Sequence, residues 1–269
     1  MPIRFLIILG VMGCGSIKLK AQESPLFKIL KIHGNVKIDG RDAYFLQDVF
    51  GDSKRLVLDK NSEVGIITNR GDVVNLKSTF LRKGYSIPAL PRKIQSPKLT
   101  FGNGYQQLPA IDCITCPELQ NSSILGDSIF VLWQENYEKK VSDVCIKNSL
   151  DSLLLEMTVS KNWIVLGVQS YWVHEQSLIL ELKHEYKDAY IVKKLPSDQE
   201  EVIRKVLGSI PEDQPDKSIL MSAIMKLYNL KYDHIFKLYQ WLRAGEKLTN
   251  NFYAEYVKES KNKYFKYDY

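Results

Sequence analysis

The residues best equipped for chemistry are few: four cysteines and four histidines in 269 residues. Cys113-Ile114-Thr115-Cys116 has the spacing of a redox pair or of half a zinc site. A thioredoxin-like pair needs a helix N-terminus after a strand to stabilise the thiolate, and no βαβ pattern surrounds this one. A zinc centre needs two more ligands, and neither a second CxxC nor a histidine pair supplies them. Cys113 and Cys116 are therefore read as partners in a disulfide or as inert thiols. Cys145 is left over as an odd third thiol. His33, His174, His184 and His234 show no i,i+4 pair and are expected at the surface or in an interface rather than as ligands or bases. No GxSxG, HExxH, strand-linked GxGxxG or GxxxxGK[ST] occurs. Glu200-Glu201 stands beside a helix start, where favourable charge placement explains it. Arg70-Gly71-Asp72 is explained by turn chemistry between two apolar strands. Asn121-Ser122-Ser123 has the form of a glycosylation acceptor, of little meaning if the chain is bacterial, as the leader described below suggests. No catalytic residues, cofactor or metal are expected.

The elements that must carry these residues begin with a leader. Met1-Pro2-Ile3-Arg4 is positive, Phe5–Ile17 is an apolar run of 13 residues, and a polar segment follows Ala21. This is the form of a secretory signal, and its core is short for a membrane span. Cleavage after Ala21 is the expectation. The competing reading takes Val11-Met12-Gly13-Cys14 as a bacterial lipobox with Cys14 lipidated, although Met12 departs from the small or β-branched residue usual there. Either route leads to the periplasm, the outer membrane or the exterior, and no later apolar run approaches a spanning length. Residues 1–21 hold Arg4, Lys18 and Lys20 and no acid, so the formal charge of +6 falls to +3 when they are set aside. That is too mild for a nucleic-acid footprint, even with the Lys- and Tyr-rich ending.

Residues 22–87 read as a small β sandwich or barrel. Short apolar alternations are broken at Gly34, Asp39-Gly40, Asp59-Lys60-Asn61 and Asn69–Asp72. Gly34-Asn35-Val36-Lys37-Ile38-Asp39-Gly40 and the Val64–Leu76 hairpin around Arg70-Gly71-Asp72 resemble the periplasmic β domain of iron-dicitrate-sensor (FecR-type) proteins. The resemblance covers about 60 residues and implies an extracytoplasmic β module. The family's transmembrane helix has no counterpart here, so its signalling role is not carried over.

Residues 88–126 are rich in Pro and Gly and read as a linker holding the CITC loop. Residues 127–195 contain six candidate strands at spacings that suggest an immunoglobulin-like antiparallel β sandwich. Within it, Ser149–Met157 has helical propensity as an alternative. Residues 196–260 are helical: Ser197 or Asp198 is placed to cap the first helix, and Gly208 and Gly245 to end two of them. A pair of these helices resembles a tetratricopeptide-like hairpin. Residues 261–269 are expected as a solvated tail.

The fold class is thus mainly β with α, and the expected function is a non-enzymatic envelope module for a protein partner. Tyr228, Tyr232, Phe236, Tyr239, Trp241, Phe252, Tyr253 and Tyr256 are the candidate anchors, or else core. Two alternatives are a thiol-dependent or other enzyme with a loop-assembled site, and a carbohydrate-binding module using Trp133, Trp163 or Trp172.

Overall fold

A computed structural model describes residues 25–51, 55–78, 85–86, 122–133, 141–184 and 187–265. The chain is mainly β with four helices at its C-terminal end. The leader with Cys14, and the loop with Cys113 and Cys116, lie outside the described residues.

The first unit contains β1 (Phe27–His33), β2 (Val36–Ile38), β3 (Arg41–Asp42), β4 (Asp48–Val49), β5 (Arg55–Leu58), β6 (Glu63–Thr68), β7 (Val73–Lys77) and β8 (Tyr85–Ser86). They form two four-stranded antiparallel sheets, ordered β4-β1-β6-β7 and β3-β2-β5-β8. Phe27, Ile29, Val36, Ile38, Leu56, Val64 and Ile66 form the core of this unit. Asp39 and Gly40 both take positive φ, the mirror-image turn that matches the twist of the strands it joins. Strand alternation turns Leu30 to the side opposite Ile29, into a different core, and a register shift follows between Ile29 and Lys31.

The second unit adds β9 (Ser122–Ile124), β10 (Ser128–Leu132), β11 (Asp143–Lys147), β12 (Leu153–Thr158), β13 (Trp163–Gly167), β14 (Ser177–Lys183) and β15 (Lys187–Lys194). Five strands form one sheet, β12-β11-β14-β15-β9, and β10 with β13 forms a separate ribbon. Leu178, Leu180 and Leu182 alternate inward on β14, as their spacing predicts, and meet Ile129 and Val131 of β10 and Trp133 just after it. β9, from the stretch expected as linker, joins β15 in parallel. Ser149–Met157 is not helical. Asn148 Oδ1 accepts from the N–H groups of Leu150 and Ser152 to make a turn, and β12 then pairs along β11. Cross-strand packing overrides the propensity of leucines that are good helix formers.

The helices are α1 (Ser197–Gly208), α2 (Lys217–Leu227), α3 (Lys231–Arg243) and α4 (Ala254–Tyr264). The capping expected of Ser197 or Asp198 is not made. Pro196 stands at the N-cap, both residues fall inside the first turn, and Asp198 and Glu200 contribute there only by their charge. α2 and α3 pack as a hairpin, and the helical layer covers both β units. Leu30 and Ile67 from the first unit and Leu125, Phe130 and Leu132 from the second share a core with Ile219, Leu220, Ile224, Ile235 and Leu238. The expected tail is in part ordered: α4 runs to Tyr264, and Tyr264 and Phe265 are buried because their rings fill the edge of this core. Among the described residues no helix is long and apolar enough to cross a membrane.

Candidate functional site

Two constellations gather polar or aromatic groups, and they differ in whether anything can reach them. The first joins three helices. Ser222 Oγ of α2 lies 2.8 Å from His234 Nδ1 of α3 and 3.0 Å from the Tyr256 hydroxyl of α4. Ser222 Oγ also donates to the His234 carbonyl at 3.2 Å. The expectation of a surface His234 is corrected: it is 2% exposed, with Ser222 at 0% and Tyr256 at 1%. Burial, reinforced by the nearby Lys226, Lys263 and Lys231 ammonium groups, pushes the His234 pKa down to about 3 and keeps the ring neutral. Burial also holds the Tyr256 phenol far above its ordinary range. A serine, a histidine and a tyrosine in hydrogen-bond range suggest nucleophilic chemistry, but a site this sealed cannot meet a substrate. The cluster is a polar bolt between helices.

The neighbouring residue Asp233 makes a second internal clasp. Its Oδ2 accepts from the Leu125 N–H at 3.0 Å, while Arg204 Nη2 donates to the Leu125 carbonyl at 2.9 Å. Burial raises the Asp233 carboxyl to about 6. Together Asp233 and Arg204 fix the turn after β9 against α3 and α1.

The second constellation is an open groove of about 550 Å³ between β13 and α3. Its aromatic floor is Phe236 and Tyr239, backed by the buried Phe130, which stacks on Phe236 at 5.1 Å and meets Tyr239 at 5.0 Å. Tyr239 lies 5.3 Å from Trp163. Val165, Lys237, Gln240, Arg243 and Glu246 complete the walls. Phe236, Gln240 and Arg243 recur at i, i+4 and i+7, so one face of α3 supplies that side.

β13 supplies the other side, and its backbone is the decisive feature. Trp133 N–H donates to the Asn162 carbonyl at 3.0 Å, and Val168 N–H to the Asp127 carbonyl at 2.8 Å. Hydrogen-bonded pairs recur at every second residue of an antiparallel ladder. Ile164 and Leu166, opposite Val131 and Ile129, therefore turn their N–H and C=O groups toward β10. Trp163, Val165 and Gly167 turn theirs outward, and among the described residues no strand pairs with that edge. Trp163 and Val165 also line the groove, so free backbone groups and aromatic wall come from the same residues.

Of the eight aromatic candidates, Tyr232, Phe252, Tyr253 and Tyr256 are buried core, Phe236, Tyr239 and the largely buried Trp241 line the groove, and Tyr228 is half-buried under the Lys31 ammonium. Trp133 and Trp172 are 0% and 5% exposed, so of the three tryptophans named for sugar binding only Trp163 reaches the surface. They sit inside because β10 is covered on both faces and because Trp172 closes the end of the sandwich core. His33 and His174 are exposed, while the His184 side chain is shielded and pairs with Asp188 at 3.0 Å. Cys145 is a free thiol at 0% exposure, shielded by its neighbours on the outer face of the sheet, which also raise its pKa by desolvation. Gly71 of the Arg-Gly-Asp turn is packed against α4. The sequence reading missed Lys161, Lys237 and Arg243, whose only signal was their place beside aromatic residues. Comparison with protein-family models and with curated proteins finds no match for this chain.

Proposed function

We propose that this protein is a non-enzymatic interaction module of the cell envelope that captures an extended segment of a partner protein along β13. The observation that carries this reading is the coincidence at Trp163 and Val165 of outward backbone groups with an open aromatic groove. A strand laid on that edge gains main-chain hydrogen bonds, and its alternate side chains, sharing the face of Trp163 and Val165, project over the groove. The wall also carries aromatic and arginine side chains, types that supply binding energy when a partner covers them. The leader at residues 1–21 supports a place outside the cytoplasm.

Val165→Pro is the test. Proline removes the outward N–H but none of the bonds to β10, so an edge position tolerates it. Partners retained by immobilised wild-type protein from an envelope extract should be lost with Val165→Pro at an unchanged melting temperature. An identical set of retained proteins would refute capture at this edge.

A further inference from the structure

The charges around the groove narrow the kind of segment it takes. Lys237 and Arg243 stand on the α3 wall, and among the described residues neither has an ion-pair partner. Lys161 precedes β13 and holds its Nζ 5.0 Å above the Trp163 ring. The groove wall itself holds two cations, Lys237 and Arg243, against one carboxylate, Glu246, and Lys161 stands just outside it. The cations are not spent on the protein's own fold: other lysines of the molecule pair at short range, Lys147 with Glu181 and Lys28 with Asp48 among them. At the far end of β13 a Cβ built on Gly167 would meet nothing within 4 Å, so the face of the strand is uncrowded there.

We infer that the partner segment is an acidic β strand, in which an apolar residue is flanked on the same face by carboxylates. This rests on the reading of β13 as a capture edge. A residue opposite Val165 would share its face and seat against Phe236 and Tyr239. Its same-face neighbours, two residues away along the strand, would bring carboxylates among the cations that border the groove, Lys237 and Arg243 on α3 and Lys161 beside Trp163. Arg243 presents a planar fork suited to a carboxylate, and partial desolvation by the aromatic floor strengthens the pairing. The neutral, hydroxyl-rich surface of a sugar would leave these cations without partners. A polypeptide strand is therefore preferred over a glycan on both counts, backbone and charge.

The experiment uses the mature chain and two ten-residue peptides, capped at both ends, one alternating Val with Asp and the other Val with Lys. Isothermal titration calorimetry at low salt should give at least tenfold tighter binding of the Asp peptide, with the advantage shrinking as salt is raised. The double variant Lys237→Glu/Arg243→Glu changes two surface positions, and its melting temperature checks that it folds. In that variant the preference should reverse in favour of the Lys peptide. Val165→Pro should abolish binding of either peptide. Equal affinity for the two peptides, or a preference for Asp that survives the charge reversal, would overturn the acidic assignment and leave strand capture standing. Binding that is indifferent to Val165→Pro would overturn strand capture itself. Failure of both peptides, or displacement of the Asp peptide by a chito-oligosaccharide at comparable concentration, would also count against the inference.

Discussion

A Cβ placed on Gly71 would stand 2.6 Å from the backbone nitrogen of Tyr256. The β6–β7 turn thus seats directly on the first turn of α4, backbone against backbone. On the strand before it Gly65 makes room for a side chain instead, since a Cβ there would meet Leu227 Cδ1 of α2 at 2.6 Å. Two glycines in one hairpin let the first β unit close on the helices.

Gly71→Ala should therefore be far more costly than an ordinary glycine change. Gly71 has φ +85 and immovable backbone atoms beside it, so strain and overlap together cost about 2–4 kcal/mol. Gly40 has φ +79 with nothing within 4 Å, so Gly40→Ala should cost only about 1–2 kcal/mol. Urea unfolding of both variants measures the gap, and equal losses would mean that the seat on α4 contributes little.

Asp233 and His234 are neighbours whose protonation pulls stability in opposite directions. His234 has its pKa lowered from 6.5 to about 3. Between those values the unfolded chain holds a proton that the folded one refuses, so this residue makes stability fall as pH drops below 6.5. Asp233 is raised from 3.8 to about 6. In that window the folded chain keeps a proton that the unfolded one releases, so this residue makes stability rise as pH drops. The two slopes, each about 1.4 kcal/mol per pH unit, offset one another between roughly pH 6 and 4. Asp233→Asn should remove one of them. Relative to wild type, the variant should lose about 1.4 kcal/mol for each unit of acidification across that window, read from urea midpoints at pH 6, 5 and 4.

Ser222→Ala withdraws the oxygen shared by His234 Nδ1 and the Tyr256 hydroxyl. Leaving buried polar groups short of a partner should cost about 1–3 kcal/mol. Because the three residues act as one network, Ser222→Ala combined with Tyr256→Phe should cost less than the two changes summed. Strict additivity in a double-mutant cycle would show that the contacts are independent.

Trp163→Ala removes the aromatic wall of the groove on the β13 side. It also removes its contacts with Tyr239 at 5.3 Å and Phe130 at 6.5 Å. The ring is only half-buried, so a stability loss of about 1–2 kcal/mol is expected. If the groove binds as proposed, peptide affinity should drop at least tenfold, a larger effect than the stability loss would suggest. Retained affinity would move the binding energy to the backbone edge alone.

Much of the fold was legible because its signals are local. The alternation of Leu178, Leu180 and Leu182, the glycine-bearing turns of the first unit and the helical spacing of Ile219, Leu220, Ala223 and Ile224 each lie within one element. What stayed hidden depends on partners distant in the chain. Ser122–Ile124 has no strand-like alternation and becomes β9 only because β15 offers an edge. Leu153–Val159 was legible as a strand, but the helical alternative for Ser149–Met157 is settled only by the pairing of β12 with β11. The groove escaped for the same reason, since β13 and the α3 face that build it are far apart in sequence. Its aromatic residues were visible as anchors, but its cations were not, because charge at a surface position says nothing until a neighbour is known. Cys14, Cys113 and Cys116 lie outside the described residues and remain expectations from spacing.

Leu30 and Ile67 belong to the helical core although their strands belong to the first sheet unit. The two halves of the molecule are therefore held by shared side-chain packing as well as by the intervening chain. A polypeptide severed between residues 87 and 121 should elute as one non-covalent complex, and its two fragments, expressed separately, should reassemble on mixing. Erosion of the helices would then release both sheets at once, so a single cooperative melt is the signature of this shared foundation.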